Sequence, residues 1–314
     1  MPARKLFAPY YMAYRRPQND EVKPPSISVK ARSANKATVN VSFGECAGFG
    51  TEITMGHLAA LGFESLDSAA SDQYSLVFKV KRIGFQGSLC VKVFHPAFME
   101  NPIFRAIFEH EAYRSLQLGH PNIVPTYEVG VLSQGAPYVV SQWIDGISIT
   151  SNSTESHQVD AISFISQLCD ALNHIHSNGW LHGNVSLGSV ICKTIGSNNL
   201  LVKLLDTSVK AALIAQLPFS FDSLRDSVSP EERFGADPDV RSEIYSLGFV
   251  LYEILTGCKF DRELDACHIA ERLSHTHQGR ALSPIVERCL AADPDERYQQ
   301  VYDVLQAVES VRGF

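Results

Sequence analysis

The sequence predicts an α+β fold of two lobes, a small β-rich lobe with one helix followed by a larger helical lobe. Three observations predict it. Residues 74–144 hold four short strand-like runs around a single helical stretch. From residue 158 onward, apolar residues recur at three- and four-residue steps, the spacing of buried helix faces. The 314 residues are enough for two lobes and a sizeable core.

The elements follow in order. Residues 1–26, with Pro17, Pro24 and Pro25, read as a tail, and its basic, aromatic start "MPARKLFAPYYMAYRRPQNDE" has no apolar periodicity. "SISVKARSANKATVNVSF" has two short alternating runs and predicts a hairpin. "GECAGFGTEITMGHLAALGFESL" mixes glycines with a short helical pattern. "YSLVFKVKRIGFQGSLCVKVF" predicts two strands joined at "GFQG", and "FRAIFEHEAYRSLQL" a helix ended by Gly119. "IVPTYEVGVLSQGAPYVVSQWI" predicts two more strands. In 158–176, Ile162, Ile165, Cys169 and Leu172 define one buried helix face. "IYSLGFVLYEIL" is apolar nearly all round and predicts a central buried helix. Val301, Val304, Leu305, Val308 and Val311 mark a last amphipathic helix. The expected organisation is an N-terminal extension over 1–71, a small lobe over 72–140, a hinge over 141–147 and a large lobe over 148–314.

Composition excludes several classes. A net charge of -7 argues against binding nucleic acid or an anionic membrane. No apolar run approaches the length of a transmembrane helix, and the N-terminus lacks the apolar core of a signal peptide. Seven cysteines are an odd number and none forms a CxxC pair. Cys169 and Cys289 sit in apolar helical patterns, so buried free thiols in a reducing cytoplasm are expected. His174, His176 and His182 cluster in sequence, but the first two do not share a helix face, so a metal site there is not expected. No GxSxG-type nucleophile motif appears, and Asp160 and Asp170 fit solvated helix faces.

Over residues 72–312 the chain resembles the eukaryotic-like Ser/Thr protein kinase family, especially its bacterial branch. Several motifs occur in the family's order, which is more specific than any one alone. "LCVKV" is similar to the strand carrying the ATP-binding lysine, here Lys92, and "FEHEAYRSLQLGHPNIV" to the helix whose glutamate, here Glu111, pairs with it. "PYVVSQWIDG" resembles the hinge strand, with Ser141 at the gatekeeper position and Gln142 to Ile144 along the adenine edge. "SPEERFG", "DVRSEIYSLGFVLYEILTG" and "CLAADPDERYQQ" resemble the fold-maintaining motifs of the large lobe. They imply structural roles for Glu231, Glu243 and Arg297, with Glu231 and Arg297 paired.

The same resemblance exposes departures. "HGNVSLGSVI" lies on the family's H-R-D-L-K-P-x-N-I-L. His182 matches the histidine, whereas Gly183 replaces the arginine, Asn184 the catalytic aspartate, Ser186 the lysine and Ser189 the metal-binding asparagine. "LLDTS" lies on D-F-G and retains Asp206, which implies one magnesium ligand, while Thr207 and Ser208 replace the other two residues. An amide at 184 can hydrogen-bond but cannot accept a proton near neutral pH, and loss of a positioned base costs on the order of 10²–10⁴ in rate. Ser186 lacks the charge that would offset the transferring phosphoryl group. The phosphate-covering loop should fall in "SAASDQYSLV", which has no glycine and carries Asp72. Thr207 and Ser115 put polar groups where the family packs apolar ones, and Gly183 removes the arginine that receives an activation-loop phosphate.

The resemblance therefore implies a pseudokinase: a cytoplasmic, protein-binding regulatory or scaffolding module that transfers little or no phosphate. Its retained residues have two readings, weak binding of ATP and magnesium, or a Lys92–Glu111 ion pair that braces the small lobe of a scaffold binding no nucleotide. In the first, the contacts would be Lys92, Glu111, Ser141, Gln142, Ile144 and Asp206. The alternative is an atypical active Ser/Thr kinase or another ATP-dependent transferase. The partner's identity is not written in these motifs.

Overall fold

Alternating burial along short strands builds the small lobe, and one helix buried on every side organises the large one. The structure, a computed structural model, describes residues 41–42, 52–53, 55–71, 75–94, 96–100, 102–149, 160–195, 199–205, 227–262, 264 and 266–312. The expected tail, most of the expected hairpin, Asp72, Asp206, Thr207, Ser208 and the activation segment as far as 226 lie outside the described residues.

Strands β1 (Val41–Ser42) and β2 (Glu52–Ile53) pair with each other. A short helix, α1 (Met55–Ala59), leads to β3 (Phe63–Ser71), β4 (Ser75–Arg82) and β5 (Leu89–Phe94). Helix α2 (Pro102–Ser115) follows, then β6 (Thr126–Val131) and β7 (Pro137–Gln142). The sheet order is β3-β4-β5-β7-β6, antiparallel throughout. Period-two alternation sends Leu76, Phe78, Val80, Leu89, Val91 and Val93 into one apolar core with Leu58 and Phe63. The opposite face of β4 and β5 carries Val77, Lys79, Cys90 and Lys92, all half-buried. Gly84 and Gly87 close the β4–β5 turn at φ 81° and 100°, values that favour glycine.

Two element boundaries differ from the sequence expectation. The sheet takes its edge strand β3 from Phe63–Ser71, within the segment read as N-terminal extension; "FESLDSAAS" has no clean alternation, and its register against β4 shifts twice. Helix α2 stops at Ser115 rather than running to Gly119. There the serine hydroxyl donates back to the Ala112 carbonyl at 2.7 Å, a local bond that competes with the helix ladder.

The large lobe opens with β8 (Ile147–Ser148), which pairs with β9 (Val190–Ile195), itself paired with β10 (Asn199–Leu204). The helices are α3 (Ala161–Ser177), α4 (Pro230–Arg233), α5 (Val240–Thr256), α6 (Ala266–Leu273), α7 (His277–Cys289) and α8 (Val301–Ser310). Every residue of α5 from Ser242 to Leu255 is buried, as its all-round apolar pattern requires. Asp239 caps its first turn by accepting from the Arg241 N–H at 2.7 Å, and Gly257 ends it at φ 66°. No helix among the described residues is long and apolar enough to cross a membrane.

Two seams bind the lobes. The segment after α2 docks on β10: the Val124 N–H donates to the Leu204 carbonyl at 2.9 Å, and the Leu204 N–H to the Asn122 carbonyl at 2.8 Å. Asn122 Nδ2 also donates to the Val202 carbonyl and to Gln167 Oε1. After β7, Gly146 lies so close to β9 that a Cβ would sit 2.5 Å from the Cys192 carbonyl oxygen.

Glu231 and Arg297 meet in the large lobe as a two-pronged pair, Nη1 to Oε1 and Nη2 to Oε2, each 2.8 Å. Arg297 is 1% exposed, and its remaining N–H groups donate to the carbonyls of Ala291, Arg241 and Ala292. Burial pushes the Glu231 carboxyl up, but the Arg297 and Ser229 side chains and a backbone hydrogen bond outweigh it and bring the pKa down to about 2. Arg297→Ala should cost roughly 3–5 kcal/mol in urea unfolding, because Glu231 is left uncompensated. A folded pKa below the unfolded 4.5 means stability that is present above 4.5 and lost as pH falls through about 2. Glu231→Gln should remove that part of the acid-unfolding slope.

Candidate functional site

The site is built from the loop between α3 and β9, residues 179–189. Its backbone is held by buried side chains. His182, 1% exposed, places Nε2 2.8 Å from the Leu205 carbonyl. A carbonyl only accepts, so Nε2 carries the proton, and Nδ1 is left to accept from the Asn184 N–H at 3.3 Å. One imidazole thus ties the loop to the residue preceding Asp206.

Glu243 supports the loop from below. This buried residue of α5 accepts the Gly183 N–H on Oε1, while Oε2 lies 2.6 Å from His176 Nε2 on α3. Burial raises the Glu243 pKa, but the His176 hydrogen bond and charge and the Gly183 N–H outweigh it, holding the carboxyl below its ordinary range. Gly183 bends to this carboxylate at φ 76°.

The three positions where the family's chemistry would sit are arranged differently from one another. Asn184 is 7% exposed, and among the described residues its Nδ2 has no hydrogen-bond partner. Ser186 precedes a single 3-10 turn, Leu187–Ser189, and donates its N–H to Ser189 Oγ at 3.0 Å. Ser189 is fully buried, and its hydroxyl donates to the Ser186 carbonyl at 2.8 Å. The hydroxyl at 189 is therefore engaged within its own loop.

Across the cleft, Lys92 stands on β5 in register between Val77 and Val139, with Nζ 5.6 Å from the Phe94 ring centre. Ser141 on β7 lies opposite Cys90. Gln142 donates its N–H to the Pro125 carbonyl at 3.1 Å, and Ile144 is half-buried just beyond. Asp145 anchors this hinge by accepting from Lys79 Nζ at 2.9 Å and from Trp143 Nε1 at 2.8 Å; these bonds hold its carboxyl below the usual range. Glu111 on α2 accepts from Arg114 Nη1 at 2.9 Å and lies 3.2 Å from His110. The Arg114 guanidinium stacks over the Trp180 ring at 5.2 Å, joining α2 to the loop entrance. Lys92, Ser141 and Gln142 thus share one sheet, Glu111 lies on the neighbouring helix, and Asp206 lies outside the described residues.

The three histidines that cluster in sequence separate in space. His174 stacks on His120, with ring centres 5.2 Å apart, while His176 meets Glu243 and His182 meets Leu205. Among the described residues no group of three His, Cys, Asp or Glu could hold a metal ion. The role of His176 and the Arg114–Trp180 contact are not visible in the motifs, because each depends on a partner far away in sequence.

A sequence model described as "Protein kinase domain" matches residues 71–308. The chain belongs to the protein kinase family. It is 32% identical over 233 residues to serine/threonine-protein kinase PknB of Mycobacterium tuberculosis, covering 67% of this chain and 36% of that one. To PknB of Mycobacterium leprae it is 31% identical over 246 residues, 72% of this chain and 39% of the other. A probable serine/threonine-protein kinase PknB of Lactococcus lactis is 27% identical, covering 76% and 42%. The chain therefore spans roughly two fifths of the length of these curated relatives. The crystal structure of the Mycobacterium tuberculosis PknI kinase domain superposes with a TM-score of 0.64 at 22% identity, over 80% of this chain and 96% of that one. The two-lobed kinase fold, with a β-sheet small lobe and a helical large lobe, is shared with it.

In this kinase domain, Glu243→Ala should strip the Gly183 N–H and His176 of their common acceptor. The expected cost is roughly 3–5 kcal/mol in chemical unfolding. Asp295→Ala, which removes an exposed partner of Arg241 (84% side-chain exposure), should cost under about 1 kcal/mol.

Proposed function

We propose that this domain is a pseudokinase: a regulatory or scaffolding module for a protein partner that binds nucleotide weakly and transfers little or no phosphate. The observation that carries this reading is Asn184. By the motif resemblance its amide corresponds to the family's proton acceptor, on a loop whose His182, Val185, Leu187 and Val190 are buried. A carboxamide cannot take the proton of an attacking hydroxyl, and that loss alone slows transfer by on the order of 10²–10⁴. Ser186 brings no positive charge, and the buried hydroxyl of Ser189 is engaged with Ser186, which fits a second magnesium poorly.

The retained groups fit a nucleotide better. Lys92 would meet the phosphates, with Glu111 as its partner, Asp206 would hold one magnesium, and Ser141, Gln142 and Ile144 would border the base. Bound magnesium would neutralise phosphate charge; the chain's own part is to orient the nucleotide and close the cleft at the hinge. Buried thiols Cys169 and Cys289, both with raised pKa from burial, fit a reducing cytoplasm.

A second reading is an active Ser/Thr protein kinase or another ATP-dependent transferase. The observation that favours it is the set of relatives at 31–32% identity, which are named serine/threonine-protein kinases.

Thermal-shift titration and phosphate transfer separate the two. Nucleotide at 100 times its Kd should stabilise the domain by about 2.7 kcal/mol. Lys92→Ala should abolish that shift and Asn184→Ala should leave it nearly unchanged. Transfer to itself or a generic substrate at roughly 1–100 per second would establish the second reading instead.

A further inference from the structure

A cavity lies between the catalytic loop and the end of the activation segment, lined by Asn184, Ser227, Glu232, Ser242, Glu243 and Ser246 among others. It has room for about one water molecule. Two lining groups have hydrogen-bonding capacity to spare. Asn184 Nδ2 is a buried donor with no partner among the described residues, a state that costs about 1–3 kcal/mol unless something accepts from it. Glu232 uses Oε2 to accept from the Ser229 hydroxyl at 2.7 Å and the Ser229 N–H at 3.2 Å, and among the described residues Oε1 has no partner. None of the lining residues is basic.

We propose that this cavity is a one-water binding site that joins Asn184 and Glu232. The water accepts from Asn184 Nδ2 and donates to the Glu232 carboxylate, latching the end of the activation segment to the catalytic loop. Glu232 is thereby a positioning residue for the amide. The inference is independent of whether the domain transfers phosphate.

The charges around the cavity explain why an amide stands at 184. Glu232 is pushed up first by burial and further by Glu231 and Glu243. Glu231 is spoken for by Arg297 and Glu243 by His176, so neither positive partner is left for another acid. A carboxylate at 184 would share with Glu232 a cavity that no basic side chain lines, and like carboxylates sharing a site cannot both ionise freely. The amide at 184 and the acid at 232 therefore suit each other.

The test is a double-mutant cycle on the full chain, read by melting temperature. At pH 7.5, Asn184→Asp should lower Tm by about 4 °C. Glu232→Gln should melt no lower than wild type, and adding it to Asn184→Asp should recover most of the loss. The Asn184→Asp deficit should also shrink at pH 5, where a protonated carboxyl donates again. Asn184→Asp melting like wild type would overturn the proposal, as would an equal deficit in the Glu232→Gln background or a deficit independent of pH. Should Asn184→Asp alone fail to fold, the double variant decides: cooperative melting supports the latch, and failure to fold overturns it.

Discussion

The carboxylate of Glu243 is the interaction on which the rest of the site depends. It sits on the helix that is buried on every side, and it reaches outward to a helix and a loop at once. A charge in such a place is tolerated only when every neighbour is arranged to receive it. His176 and the Gly183 N–H supply that arrangement, and so fix where α3 ends and how the loop turns. The position of His182, and through it Leu205, follows from that turn.

Around this anchor the loop divides its residues by task. Those that face the core, His182, Val185, Leu187 and Val190, are buried and make the kinase shape. The polar ones satisfy local geometry: Ser189 and Ser186 close a turn on each other. The distinction matters because shape and chemistry are separable properties of one loop. Packing and hydrogen bonds within the protein maintain the first, while the second depends on groups left free to meet substrate and metal.

Much of this was legible in the sequence, for identifiable reasons. The helix at Val240–Thr256 announces itself because burial on all sides demands apolar residues on all sides. Glu231 and Arg297 were legible through two motifs and meet as expected. Strands β4 and β5 follow from alternation. By contrast β3 carries small and polar residues at an irregular edge, where pairing is set by its neighbour rather than its own pattern. The small sheet of β8, β9 and β10 includes a strand of only two residues, too short for any period to show. His176 stayed hidden because its importance lies in what approaches it from another element: Glu243, 67 residues away.

Gly183 carries a consequence for the whole arrangement. At φ 76° glycine is at ease, whereas any side chain with a Cβ is held there at a cost of about 1–2 kcal/mol. The same residue gives its N–H to Glu243, so a substitution here would set the backbone's own preference against the buried carboxylate's need for a donor. One residue without a side chain thus lets a charge inside the protein and a sharp bend on its surface coexist.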